Sequence, residues 1–119
     1  MLEKSLVLIK PDAVEKDIIG EVISYYEKAG LKVVALKMER ATEELAEKHY
    51  AEHKGKPFYE GLIKFITRSP LCALIVEGDN AIESVRKING ATNPNEAEEG
   101  TIRKAFATSK SENCVHASD

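Results

Sequence analysis

The sequence predicts an α+β fold: a four-stranded antiparallel sheet covered by helices, of the split β-α-β, ferredoxin-like type. Three observations lead there. Apolar runs alternate with helix-period segments in the order strand, helix, strand, helices, strand, helix, strand. The first and third runs, Leu6-Val7-Leu8-Ile9 and Leu71 to Val76, are the most uniformly apolar, as central neighbours in a sheet should be. The connections are too long for hairpins, and right-handed crossovers then put the fourth strand beside the first.

Each element has its own signal. The first strand ends at Lys10-Pro11-Asp12, because proline cannot donate to a ladder and biases its predecessor toward extended backbone. Lys10 therefore belongs at a strand's C-terminal end. Ile19, Val22, Ile23 and Tyr26 follow at helical spacing, with Gly30 placed for a left-handed cap. Lys32 to Met38 reads as the second strand. Thr42 caps a helix whose first turn carries Glu43 and Glu44 and which continues through Leu45, Ala46, His49 and Tyr50. His53-Lys54-Gly55-Lys56 is a basic connection, and Pro57 fits the first position of a helix with Phe58, Leu62, Phe65 and Ile66 on one face. After the third strand, Gly78-Asp79-Asn80 turns into a helix with Ile82, Val85 and Ile88 inward, closed by Gly90, and Arg86 falls on its flank. From Ala91 to Ser111 no period persists, and a long irregular segment inside a compact domain tends to be functional. Cys114 to His116 supplies a short fourth strand.

A chain of 119 residues with no repeat or linker reads as one domain, 1–119, able to bury roughly two-thirds of its unfolded surface. A net charge of −3 argues against general nucleic-acid binding, which rests on cations neutralising phosphates. The two cysteines make no disulfide framework and read as thiols in a reducing compartment. No apolar run is long enough for a signal core or a membrane span, so the expected location is cytoplasmic.

The polar groups outside the hydrophobic periodicity are Lys10, His53, Arg86, Thr92, Arg103, Asn113 and His116. Two guanidinium forks, an ammonium and a hydroxyl suit a polyphosphate. Asn113 suits a sugar hydroxyl and Phe58 a stacked base. A neutral imidazole is a competent nucleophile toward phosphorus, since its reference pKa is about 6.5. No Walker-type or kinase-type glycine loop is present. Singly, each residue also has an ordinary structural use: a strand-end histidine, a surface arginine, a core phenylalanine. Pattern alone reaches an anion-binding domain for which phosphotransfer is one chemistry.

Five segments in order carry a resemblance: Leu8-Ile9-Lys10-Pro11-Asp12-Ala13; His49-Tyr50 with His53 to Phe58; Gly90-Ala91-Thr92-Asn93-Pro94; Gly100-Thr101-Ile102-Arg103; and Asn113 to Asp119. The sequence resembles the nucleoside diphosphate kinase family from Leu2 to Asp119. The resemblance implies that His116 accepts the γ-phosphoryl group of a nucleoside triphosphate and passes it to a nucleoside diphosphate, with ping-pong kinetics. It implies that Lys10 binds the sugar 3′-hydroxyl and helps at the transferred phosphate, while Arg86, Thr92, Arg103 and His53 contact phosphates. By the same resemblance Asn113 binds ribose, Phe58 stacks on the base beside Leu62, and Tyr50 helps fix His116. Mg2+ would ride on the nucleotide phosphates without protein ligands, and the chain would assemble as a homo-oligomer, hexamer or tetramer.

Lys104-Ala105-Phe106 and Ala117 depart from common family residues. The family's chain also continues beyond the histidine motif, with a glutamate that orients the imidazole, so the 1–119 domain is expected to lack that tail. A tail-truncated, weakly active nucleotide-binding or scaffold protein is the alternative reading. A ferredoxin-like RNA-binding module is disfavoured by the acidic charge and the lack of aromatics on the strands.

Overall fold

The computed structural model describes residues 1–110 and 112–118. Ser111 and Asp119, which close two of the stretches discussed above, lie outside the described residues. Four strands, β1 (Leu2–Ile9), β2 (Lys32–Glu39), β3 (Leu71–Asp79) and β4 (Val115–Ser118), form one sheet in the order β2-β3-β1-β4, with every neighbouring pair antiparallel. The expected central pair and the placement of the last strand beside the first are both found.

Among the described residues six α-helices accompany the strands: α1 (Pro11–Glu15), α2 (Ile19–Lys28), α3 (Glu43–His49), α4 (Tyr59–Thr67), α5 (Ala81–Asn89) and α6 (Ile102–Phe106). Strand alternation sends Val7, Ile9, Leu74 and Val76 to one face, where they are buried with Val22 and Tyr26 of α2 and Val85 of α5. Leu8 goes to the other face and packs with Ala46, Ile63, Ile66 and Leu71 around α3 and α4. The larger cluster contains one polar pair: the Tyr26 hydroxyl donates to Asn89 Oδ1 at 2.5 Å, so both groups are satisfied without water. Burial pushes the Tyr26 phenol well above its ordinary value, keeping it a donor.

Several local expectations hold. Thr42 accepts from the Leu45 amide at 3.1 Å, and Gly30 and Gly90 close α2 and α5 at φ near +89°.

Others change. The first strand begins at Leu2, four residues before the apolar run, because Leu2 to Ser5 pair with β3 although Leu2 and Lys4 are exposed and the buried Ser5 is polar. The third strand runs through Gly78 and Asp79 for the same reason, leaving Asn80 at φ 54° as the only turn residue before α5. Pro57 lies outside α4, and Phe58 is its N-cap, half exposed rather than part of the buried face. The Ala91–Ser111 segment is not structureless: it holds a 3-10 turn at Pro94–Glu96 and the short helix α6, capped by the Thr101 hydroxyl. Elements this short leave no periodic trace. The fourth strand begins at Val115; Cys114 is excluded by its φ of 72°. No helix among the described residues is long and apolar enough to cross a membrane.

Candidate active site

The sheet order brings the C-terminal end of β1 against the N-terminal end of β4. Lys10 follows β1, and its amide donates to the Cys114 carbonyl at 2.8 Å. Its Nζ donates to Asn113 Oδ1 at 2.8 Å, while Asn113 Nδ2 donates to the Thr92 carbonyl at 3.2 Å. One buried asparagine thus ties the first strand to the loop after α5. On the far side of this junction the Cys114 amide donates to Asp12 Oδ2 at 3.0 Å, which fixes the left-handed residue just before β4. Asp12 is buried and follows Pro11, the first residue of α1, so the Lys10-Pro11-Asp12 turn sets the entry of the fourth strand.

Arg103 crosses to the same place from α6. Its guanidinium donates to the carbonyls of Gly90 at 2.7 Å, Val115 at 2.8 Å and Asn113 at 3.4 Å. Two chain segments are therefore tied to α6 by one rigid fork, and the same side chain lines the pocket beside it. That pocket, of about 360 Å³, is lined by Arg86, Asn89, Gly90, Ala91, Thr92, Arg103, His116 and Ala117. Arg86 reaches it from the exposed flank of α5, and His116 from the edge strand opposite Leu8.

His116 is exposed toward solvent, yet enough protein surrounds the ring to oppose its protonation. Lost hydration, then the charges of His49, Lys10 and Arg103, hold its pKa below the ordinary 6.5. The imidazole is thus predominantly neutral near pH 7. The His49 ring stands 5.9 Å from it, nearly perpendicular, and the Tyr50 ring packs 4.6 Å from His49. The ring row continues through His53, 6.2 Å from Tyr50, to Phe58, 5.4 Å from His53.

A second depression of about 540 Å³ lies at the other end of this row, with Phe58, Leu62, Phe65, Arg68 and Glu112 among its walls. Lys10 lies between the two depressions, since its Nζ is 5.3 Å from the Phe65 ring centre as well as bonded to Asn113. The structure therefore gathers Arg86, Thr92, Arg103 and His116 in one pocket, Lys10 and Asn113 at the junction, and Tyr50, His53, Phe58 and Leu62 along the other side.

The family sequence model for nucleoside diphosphate kinase matches residues 3–119. The chain belongs to the nucleoside diphosphate kinase family. A nucleoside diphosphate kinase of Clostridium perfringens (strain 13 / Type A) is 62% identical over 118 residues, spanning 99% of this chain and 82% of that protein. One from Pyrococcus abyssi is 57% identical over 120 residues, spanning 98% and 76%. Among solved structures, a halophilic nucleoside diphosphate kinase of Halobacterium salinarum in complex with CDP superposes at a TM-score of 0.94 with 43% identity. It is matched over 100% of this chain and 78% of that one. The Aquifex aeolicus enzyme gives 0.92 and 38%, over 100% and 86%.

Sequence reasoning assigned no role to three groups that this nucleoside diphosphate kinase fold places at the site: His49, Asp12 and Arg68. The pair His49 and His53, one helical turn apart, was a usable signal for the first. Asp12 and Arg68 act through folded contacts that no local pattern encodes. Replacing His49 by phenylalanine removes one of the charges that oppose protonation of His116. The His116 pKa is then expected to rise toward 6.5, so the neutral form is lost at a higher pH on acidification; an imidazole NMR titration of both proteins reads this directly.

Proposed function

We propose that the chain transfers the γ-phosphoryl group of a nucleoside triphosphate to a nucleoside diphosphate through a phosphohistidine on His116. The observation that carries this is an exposed imidazole of depressed pKa at the wall of a pocket that also holds Arg86, Thr92 and Arg103. A neutral ring has a free nitrogen lone pair to attack phosphorus, and the guanidinium groups neutralise charge on the transferring oxygens. In the first step the imidazole–phosphorus bond forms as the bond to the leaving β-phosphate oxygen breaks; the second step reverses this on a different diphosphate.

The placement of the groups supports the other assignments. Arg86, Thr92 and Arg103 hold the phosphates. Lys10 binds the sugar 3′-hydroxyl and assists at the transferred phosphate, and Asn113 beside it binds the ribose. Phe58, half exposed over the second depression, stacks on the base with Leu62 next to it. Stacking reads a π-face common to all bases, which supports acceptance of several nucleotides. His53 reaches the phosphates from the base side. Tyr50 packs on His49, which in turn stands against His116, so the phenol's effect on the nucleophile passes through that ring.

The pocket's arginines, hydroxyl and imidazole fit phosphate oxygens and would oppose a bare divalent cation. Mg2+ would accordingly arrive on the nucleotide and add positive charge at the phosphates. Buried free thiols at Cys72 and Cys114 fit a cytoplasmic setting. Homo-oligomerisation is supported by the edge strand β2, which exposes Val34, Leu36 and Met38; the assembly expected is a hexamer or tetramer.

The test is a pulse and chase. With γ-labelled ATP and Mg2+ but no acceptor, the protein should acquire an acid-labile label that an added nucleoside diphosphate removes as labelled triphosphate. His116→Ala should take up none. Equal labelling of that variant, or a label that no diphosphate discharges, defeats the reading.

A further inference from the structure

Arg68, the C-cap of α4, lies outside every role assigned above. Its Nε donates to Glu15 Oε2 at 2.9 Å and to Oε1 at 3.1 Å, and its Nη2 donates to Glu15 Oε1 at 2.7 Å. The same Nη2 donates to Glu112 Oε1 at 2.8 Å. The guanidinium also lies 4.9 Å from the centre of the Phe65 ring. The Ser69 hydroxyl donates to Glu15 as well, and Arg40 donates to the carbonyls of Thr67 and Arg68, so the end of α4 is itself held.

The three segments so joined are the walls of the second depression or lead straight to it. Glu15 ends α1, the helix that begins immediately after Lys10. Glu112 precedes Asn113, the residue bonded to Lys10 and to the Thr92 carbonyl. Phe65 is on α4, the helix that also carries Leu62 and is entered at Phe58. We propose that Arg68 is a positioning residue for the nucleoside half of the substrate: it clamps Glu112 and Glu15 to α4, and so sets the spacing between the stacking wall at Phe58 and the ribose contacts at Lys10 and Asn113.

The physical case rests on what else restrains Glu112. Among the described residues, its other hydrogen bonds are local, to Thr108 and Ser109 of its own loop. The Arg68–Glu112 contact is the long-range one, across 44 residues of sequence. A single exposed ion pair has little effect, but here one planar fork meets two carboxylates and an aromatic face, a geometry in which ordering of one arm lowers the entropic cost of the next. The hydrogen bonds from Arg68, then from Ser69, hold the Glu15 carboxyl below its ordinary range, so Glu15 stays charged across the neutral range. The clamp does not touch the pocket of Arg86, Arg103 and His116. Its influence should fall mainly on base and ribose, leaving the phosphate contacts of the Arg86, Arg103 and His116 pocket as they are.

This inference rests on the nucleotide-binding part of the preceding reading and not on the phosphohistidine step, so it is tested by equilibrium binding. Calorimetric titration with ADP and with inorganic tripolyphosphate, which has phosphates but no nucleoside, separates the two halves of the site. For Arg68→Ala the ADP Kd is expected to rise about tenfold while the tripolyphosphate Kd stays within about twofold. Arg68→Lys, which keeps the charge but cannot fork between two carboxylates, should recover only part of the loss. Glu112→Gln should weaken ADP in the same direction, and adding it to Arg68→Ala should cost little more, because the contact is already gone. Should Arg68→Ala fail to fold, Glu112→Gln with Arg68→Lys carries the same comparison. An unchanged ADP Kd overturns the proposal. So does an equal loss for both ligands, which would mark a general disturbance of the fold, and so does full additivity of the pair. A wild-type protein that binds no ADP removes the site reading and this inference with it, whereas missing phosphohistidine with intact ADP binding removes only the former.

Discussion

Arg103→Ala is expected to lower kcat by about 10²–10³-fold at saturating nucleotide, the loss seen when one preorganised charge donor is removed from a transferring group. The residue has two functions in one side chain. Its fork supports the carbonyls of Gly90, Asn113 and Val115, and it lines the pocket beside His116. Alanine removes the charge from the phosphates and leaves three carbonyls without that donor. Lysine restores a charge, but a single ammonium cannot reach three divergent carbonyls and a phosphate together, so Arg103→Lys should recover less than a tenth of the lost rate. There is a second sign to read. Arg103 is one of the charges that depress the His116 pKa, so in Arg103→Ala that pKa should rise. A steady-state comparison of kcat, joined to an NMR titration of the imidazole, checks both effects. Wild-type turnover in Arg103→Ala would mean that the guanidinium only braces the backbone.

Gly90→Ala is expected to be the most damaging small substitution for stability. Gly90 sits at φ +89°, and a Cβ there would lie 2.7 Å from both Cβ and Oγ1 of Thr101. Strain in that backbone region and the clash together cost about 2–5 kcal/mol, enough to lower the midpoint of thermal unfolding by roughly 10–20 °C. The neighbour cannot withdraw cheaply. Thr101 Oγ1 accepts from the Lys104 amide at the start of α6 and donates to the Glu98 carbonyl. Pushing Thr101 aside would displace α6, and Arg103 with it, from the very carbonyl of Gly90 that Arg103 grips. Differential scanning calorimetry should show the lowered midpoint, and turnover measured well below it should also fall. A substitution at Gly55, which also has φ +89° but nothing within 4 Å of its would-be Cβ, should cost only the backbone part.

The sheet was legible because its two central strands are written as unbroken apolar runs flanked by proline and glycine punctuation. The chemistry was legible because Lys10, Arg86, Arg103 and His116 interrupt otherwise regular patterns, and because five short motifs resemble one family. What was not legible follows from scale. α1 and α6 are five residues each, too short to express a helical period, and they depend on Pro11 and Thr101 at their starts. The spacing of Phe58 with Leu62 and Phe65 puts it on the apolar face of a helix, although the helix begins one residue later and leaves the ring half exposed, as a stacking platform requires. Arg68 gave no sign, since its partners Glu15 and Glu112 are far away in sequence and meet it only after the sheet has closed.

The strand order has a consequence for how the protein comes into being. β1 lies between β3 and β4, so the first strand made has no partner until the ribosome has produced the second half of the chain. During elongation its Leu6–Ile9 run is an unpaired apolar segment, the kind of exposed template that chaperones or neighbouring chains can capture. Of the four described strands β4 emerges after the others, and it brings His116 to Lys10 by pairing with that waiting template. His116, the proposed nucleophile, thus reaches Lys10 only when β4 pairs with β1, so a nascent chain in which this pairing has not formed lacks the assembled site. Loops that long also close slowly, and refolding from denaturant should show nucleotide binding regained no earlier than the native β1–β4 pairing.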